Sequence, residues 1–490
     1  MSLRSLQEKR YTCDPPKLLC SRPWASGMLL PFASAAAAPS SAPPRALRRR
    51  APPRAAAAAS RPADEAQLVE RVSALVSWCA SRGASGDGLE VFPGGPGGRG
   101  RGLVASRAIS AGEILLCLPL SLGIADVPEG HPASAAAALQ RTPWFARLAA
   151  RLLQEAALGE ASEYASYLAL LPPRCDASPL LCDEQLAALR AAYPPLADEA
   201  AAMRAEVAAA YAQLSASAPE ALAGASAAAF TDACSVVYSR AYGLRAAAAG
   251  GGGAGVYRLL LPLADMVNHG SAEAPDDGAG PQFPAVRDAA NVAWDIEELD
   301  AESGGGYALV VQSLVPLAAG QEALFNYRDQ SNDHFLLYYG FVPRLNPHDD
   351  AVLFDSLPAA LAWHADAFPA CAPRADAARN AAAAIAAAVR GGSDAAVLDA
   401  EPRLKMLAGT RPDGRLMAAL AALHRDPAGV GPAAEAAADR GARAALRRRC
   451  AEVLAVMGDD DARGAEALPA AAALTSKRRI LREALAALAD

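Results

Sequence analysis

Leu263-Ala-Asp265-Met-Val-Asn268-His269 is the stretch whose reading decides this chain. Alone, an Asn-His pair after a hydrophobic run reads as a helix cap or as side chains satisfying buried backbone groups. Two other stretches change its weight. Upstream lies Gly100-Arg-Gly102-Leu-Val-Ala105, where glycines ahead of a β-type run ordinarily mark a turn. Downstream lies Gly320-Gln-Glu322-Ala-Leu-Phe-Asn326-Tyr327, continuing through Ser331-Asn332 and Tyr339-Gly340-Phe341-Val342, an aromatic stretch that on its own reads as core. Each is bland by itself. Their order along one chain is the informative feature.

Composition bounds what surrounds these motifs. With 490 residues the chain has room for two or three domains, and 53% hydrophobic against 20% charged residues describes a globular protein with large cores. The net charge of −7 argues against a general nucleic-acid binder, which would carry a basic face. The nine cysteines include no C-x-x-C pair, which suits neither a zinc site nor a disulfide framework. A reducing compartment, no structural metal and no membrane span are expected, because no run approaches the roughly 18 apolar residues a spanning helix needs.

Periodicity outlines the rest. Leu68, Val72, Leu75, Val76 and Cys79 recur at helical spacing. Two β-type runs follow, Gly102–Ile109 and Glu113–Leu118, around the turn Ser110-Ala-Gly112. Residues 132–248 are Ala/Leu-rich with helical spacing, including Pro143–Gln154 and Leu186–Leu214, and read as a helical insert. Strand-like pieces return at Arg258–Leu261 and Tyr307–Leu314, and from about Leu353 the pattern is helical to the end. Gly95-Pro-Gly97-Gly98-Arg-Gly100 matches the dinucleotide fingerprint, but a β-type run follows it where a helix is required. Arg440–Arg449 is a basic helical stretch whose default reading is a solvated face, a contact for an acidic partner being the minority view.

Taken in order, the three motifs resemble the SET-domain family, specifically its Rubisco large-subunit methyltransferase branch. The similarity covers roughly residues 66–345, and the tail looks like that branch's substrate-binding domain. The resemblance implies an α+β chain: a β-rich SET fold with a knot-like crossing over residues 63–345, the insert at about 132–248, and an all-α domain over 350–490. It also implies an enzyme that uses S-adenosylmethionine to methylate lysine on a protein, the Rubisco large subunit or a stromal aldolase, as a monomer with no nucleic-acid or membrane partner. By motif, Tyr327 takes the catalytic position. Gly100, Gly102, Leu103, Asn268 and His269 would bind the cofactor, with Asp265 holding their segment. Arg240, in Tyr238-Ser239-Arg240-Ala-Tyr242, would face the cofactor carboxylate, with Arg245 as a weaker candidate; Tyr339 would be the second aromatic of the pocket. Ser331-Asn332 follows the family's Ser-Asn pair. Two positions depart from the pattern. Cys117 stands where a glutamate is common, leaving backbone contacts from Cys117 and Leu118, and the link after Tyr327 is one residue shorter. Competing readings are methylation of histidine or another target, and a non-catalytic SET-like binding module.

These residue types suit the chemistry. Methyl transfer from a sulfonium is an in-line displacement that needs alignment and a neutral amine. Lysine's free pKa of about 10.4 makes selection of that form near pH 8 cost about 3 kcal/mol. A narrow apolar channel lowers the pKa, and a tyrosine hydroxyl orients the lone pair, so no strong base is required.

The N-terminus reads as an address. Residues 1–63 hold nine arginines and only two carboxylates, Glu8 and Asp14, in an Ala/Ser/Pro-rich stretch with no reason to pack. A transit peptide over residues 1–62 and a chloroplast stroma location are expected, with Met28 as a more natural start. The rival is a secretory signal built on MLLPFASAAAA, which lacks a basic segment just before its apolar core.

Overall fold

The Ser110-Ala-Gly112 turn sets the register of the first sheet. Gly112 sits at φ 79°, a conformation open to glycine, and its N–H donates to Ser313 O at 2.8 Å. The turn feeds strand Ile114–Pro119, which runs antiparallel between Ser85–Gly86 and Tyr307–Ser313; Val292–Glu298 completes the four-stranded sheet. The computed structural model describes residues 62–92, 101–126, 141–175, 178–246, 255–270, 290–299, 305–390, 402–458 and 469–489. The expected transit segment and Gly100 fall outside them, residue 62 excepted.

Two units divide the chain, Met1–Gly123 with Leu261–Asn268 and Asn291–Ala323 in one, and the remainder in the other. In the first, Leu115, Leu116 and Leu118 are almost fully buried on the central strand, and Leu75 and Cys79 bury one face of helix Pro62–Ser81. A smaller hairpin pairs Leu89–Phe92 with Gly102–Ala105, with Phe92 opposite Gly102. Ala105 N–H donates to Gln321 O at 2.8 Å and Ala323 N–H to Leu103 O at 2.8 Å, so the hairpin gains a partner from the Gly320–Ala323 stretch.

The second unit contains the expected insert helices, Trp144–Leu158, Asp183–Ala192, Pro194–Ser217 and Ala227–Arg240. The helical spacing over Leu186–Leu214 is divided between two of these helices. Pro194 has no N–H to continue the first helix and excludes the α conformation for the residue before it. Tyr193 accordingly swings to φ −147°, ψ 76°, and Pro194 opens the next helix. Tyr193 is 1% exposed, its hydroxyl accepting from Val352 N–H at 2.5 Å. Beside these helices Gly255–Leu260 pairs with Ile124–Ala125 and Tyr242–Ala246.

The all-α expectation for residues 350–490 is corrected. Helices Leu357–Ala367, Ala375–Arg390, Gly414–His424, Pro432–Met457 and Pro469–Ala487 form most of it. They are joined by a three-stranded antiparallel sheet of Asp350–Phe354, Leu404–Leu407 and Arg411–Pro412. Asp350–Phe354 is buried throughout, so it shows no alternation that would mark a strand. Among the described residues no helix is long and apolar enough to cross a membrane.

Candidate active site

In the first unit the site residues converge on one glycine. Gly102 opens its strand, and a Cβ placed there would lie 2.6 Å from Glu322 Oε1 and 2.8 Å from Asn268 Nδ2. Those two atoms are themselves bonded: Asn268 Nδ2 donates to Glu322 Oε1 at 2.8 Å and to Arg101 O at 3.2 Å. Glu322 is 4% exposed, and its backbone carbonyl accepts from Asn291 Nδ2 at 2.8 Å. Glu322 thus fixes the plane of the Asn268 carboxamide. With both amide protons engaged on one side, Asn268 Oδ1 is left as an acceptor of fixed direction.

Gly102→Ala should therefore cost about 1–3 kcal/mol, because neither neighbour can give way without straining the part-buried hydrogen bond between them. Denaturant unfolding measures it. Adding Glu322→Ala to Gly102→Ala should cost less than the sum of the single changes; strict additivity would show that the clash is not the cause.

Backbone strain shapes the approach to Asn268. Leu263 adopts φ 68°, ψ −47°, a region costly for a branched L-residue. It starts the single turn Ala264–Met266, in which Asp265 is buried. Burial, with the Asp265 carboxylate nearby, pushes the Cys79 thiol up to about 12, so that cysteine stays protonated. Cys117 and Leu118 lie on the central strand, and Cys117 packs in an apolar cluster with Ala308 and Val310. Its side chain is a core element. Leu103 is 2% exposed on the hairpin.

In the second unit an aromatic cluster assembles around His269. Tyr327 backbone N–H donates to His269 Nδ1 at 3.2 Å, which places the proton of the neutral ring on Nε2. The His269 ring lies 4.6 Å from Phe335, 5.3 Å from Tyr327 and 5.9 Å from Phe341, centroid to centroid. Tyr327 in turn lies 5.0 Å from Tyr339, and Phe341 stands 5.3 Å from Phe335. Interplanar angles of 33–45° among these pairs are tilted, away from the face-to-face stacking that aromatic quadrupoles disfavour. Burial raises the Tyr339 phenol above its ordinary value, keeping it protonated.

Local structure explains how two of these rings are presented. Phe335–Tyr339 is one π-helical turn, a feature that recurs at functional sites, closed by Gly340 at φ 72°. Cys175 Sγ donates to Tyr339 O at 3.4 Å and Ser178 Oγ to Leu337 O at 3.3 Å, satisfying carbonyls that the widened turn exposes. Ser331 caps the short helix Asn332–His334. Asn332 is fully buried and bonds Ser476 Oγ at 3.2 Å and Asn346 Nδ2 at 2.9 Å, so the Ser-Asn pair holds the segment rather than facing solvent. Arg240 ends helix Ala227–Arg240, half-buried; Arg245 lies on strand Tyr242–Ala246 with its side chain outside the described residues.

Glu322, Phe335 and Phe341 are the members that motif order did not assign. Glu322 stands inside the quoted Gly320–Tyr327 stretch, five residues before Tyr327, and a carboxylate in a run that buries its neighbours was the available signal. Among the described residues no group of three or more His, Cys, Asp or Glu side chains could hold a metal ion.

The fold is that of solved SET-domain structures. Among the solved structures it resembles are those of Rubisco LSMT. The SET domain of LSMT bound to lysine and AdoHcy is 16% identical, covers 86% of this chain and 91% of its own, and superposes with a TM-score of 0.56. Rubisco LSMT bound to AdoMet is 16% identical over 85% of this chain and 91% of its own, at 0.54. Rubisco LSMT bound to sinefungin and monomethyllysine is 15% identical with the same coverage, at 0.55. At that identity the likeness shows the fold. No family model matches the sequence, and no curated protein matches it.

Proposed function

We propose that this chain is an S-adenosylmethionine-dependent protein-lysine N-methyltransferase. The observation that carries the reading is the aromatic cluster of Tyr327, Tyr339, Phe335 and Phe341 around His269. It supports recognition of an amine in a chain whose fold is that of structures bound to AdoMet and to lysine.

The residues present fit the cofactor. Gly102 keeps a surface that a single Cβ would fill, and Asn268 presents a carboxamide fixed by Glu322. Gly102, Leu103 and Asn268 of the first unit would hold it. S-adenosylmethionine, when bound, supplies an electrophilic methyl on a sulfonium.

The protein's share is to select and aim the amine. Burying a primary ammonium against aromatic walls strips water from three donors, a cost of several kcal/mol. Cation–π attraction returns only about 0.5–2 kcal/mol. Desolvation wins, the lysine pKa falls, and the proton leaves to solvent. The Tyr327 hydroxyl then orients the neutral lone pair, its ring held by Tyr339 and its N–H by His269.

A stromal protein is the proposed target and the plastid stroma the compartment. The reading is supported by the arginine-rich, carboxylate-free stretch between Asp14 and Asp64. The test is incubation with methyl-labelled S-adenosylmethionine in stromal extract, followed by mass spectrometry of the labelled site. Label on a lysine Nε of a stromal protein is the expected result. Label on histidine, or no calorimetric binding of S-adenosylmethionine at all, would overturn it.

A further inference from the structure

Five arginines fall between residues 440 and 449, and the structure separates them by role. Arg449 turns inward: its Nε donates to Leu353 O at 2.9 Å and its guanidinium stacks on Phe354 at 4.6 Å. Arg440, Arg443 and Arg447 face the other way, and Arg448, at the edge between, donates to Ala367 O at 3.1 Å and lies over Phe368 at 5.5 Å. With Leu485 of helix Pro469–Ala487 and Leu488 just beyond it, they line an open groove of about 700 Å³.

The spacings of three and four residues from Arg440 to Arg443 to Arg447 stack these cations on one helix face, where like charges repel. Arg443 donates to Ala487 O at 3.1 Å, and Arg448 pairs with Glu452 at 3.0 Å. Among the described residues neither Arg440 nor Arg447 has a carboxylate partner. Among the described residues, two cations of this rim over a leucine floor are thus left without a carboxylate, on a chain whose net charge is −7.

We propose that this groove docks an acidic, leucine-bearing segment of a protein partner, independently of the chemistry at Tyr327. Three features choose that occupant. The guanidinium fork matches a carboxylate bidentately, and among the described residues those of Arg440 and Arg447 meet no carboxylate. The span from Arg440 to Arg448 is about 12 Å along the helix, the reach of three or four extended residues. No aromatic side chain lines the groove to stack a base, and the chain's overall negative charge repels a long polyanion.

The test is fluorescence anisotropy of the full chain with a labelled peptide of alternating glutamate and leucine, about a dozen residues long. Binding should weaken about tenfold or more in Arg440→Glu/Arg447→Glu, and should weaken as salt is raised. Both positions are exposed, so the double variant should keep the wild-type circular dichroism. Equal binding by wild type and variant would overturn the proposal. So would no binding at about millimolar peptide, or tighter binding of a single-stranded oligonucleotide of matched charge.

Discussion

Tyr327→Phe is expected to lower methyl-transfer turnover by about 10²–10³-fold while leaving S-adenosylmethionine affinity within about threefold. The split follows from which atoms of Tyr327 do what. Its ring contacts to His269 at 5.3 Å and Tyr339 at 5.0 Å survive the change. So does the bond to His269 Nδ1, which comes from the backbone N–H. Only the hydroxyl is lost, and in the proposed reaction it acts on the amine in the transition state. Single-turnover kinetics with calorimetry of cofactor binding separates the two quantities. Turnover within about threefold of wild type would remove Tyr327 from the catalytic role.

Lys477→Ala should cost about 3–5 kcal/mol of stability, and more at pH 8 than at pH 5. Lys477 is fully buried, 2.7 Å from both Asp333 and Asp349, and also donates to Asp350 O. Burial alone would strip its proton, but the three aspartates outweigh that and hold the ammonium well above the ordinary lysine value. Lys405 pairs with Asp350 at 2.9 Å, so three carboxylates face two ammonium groups. The surplus is visible at Asp333, whose carboxyl burial pushes up to about 7, against the pull of Lys477.

The sign follows from proton binding. The folded chain holds the Asp333 proton where the unfolded chain has released it, so stability falls as pH rises from about 3.8 to about 7. Without Lys477 the carboxylates lose their counter-charge, and the penalty grows over the same range. Urea unfolding at both pH values measures the difference, and a loss below about 1 kcal/mol at pH 8 would sink the prediction. Catalytic consequences should follow, because this cluster braces the turn bearing Phe335 and Tyr339. Asn332 N–H donates to Asp349 Oδ1 at 3.0 Å, and Ser476 Oγ, next to Lys477, donates to Asp349 Oδ2 at 2.5 Å.

Legibility in the sequence followed the range of the interaction. Strands Gly102–Ala105, Ile114–Pro119 and Tyr307–Ser313 and helix Trp144–Leu158 lie close to where glycine turns and apolar spacing predict them. Those signals are local. The split at Tyr193 was also readable, since Pro194 is in plain view. Strand Asp350–Phe354 was not, because its pairing partner Leu404–Leu407 lies some fifty residues away and its full burial erases alternation.

The motif Leu263–His269 with which the reading began divides along the same line. Residue order alone carried the SET-like arrangement of glycine loop, Asn-His pair and tyrosine, because each is a contiguous pattern with its own backbone demand. Packing alone revealed that Glu322 clamps Asn268, that His269 is ringed by Phe335, Phe341 and Tyr327, and that a lysine near the C-terminus is buried among three aspartates. The physical reason is desolvation. A charged or aromatic side chain has the same sequence signature exposed or buried, and only contacts from distant segments decide which it is.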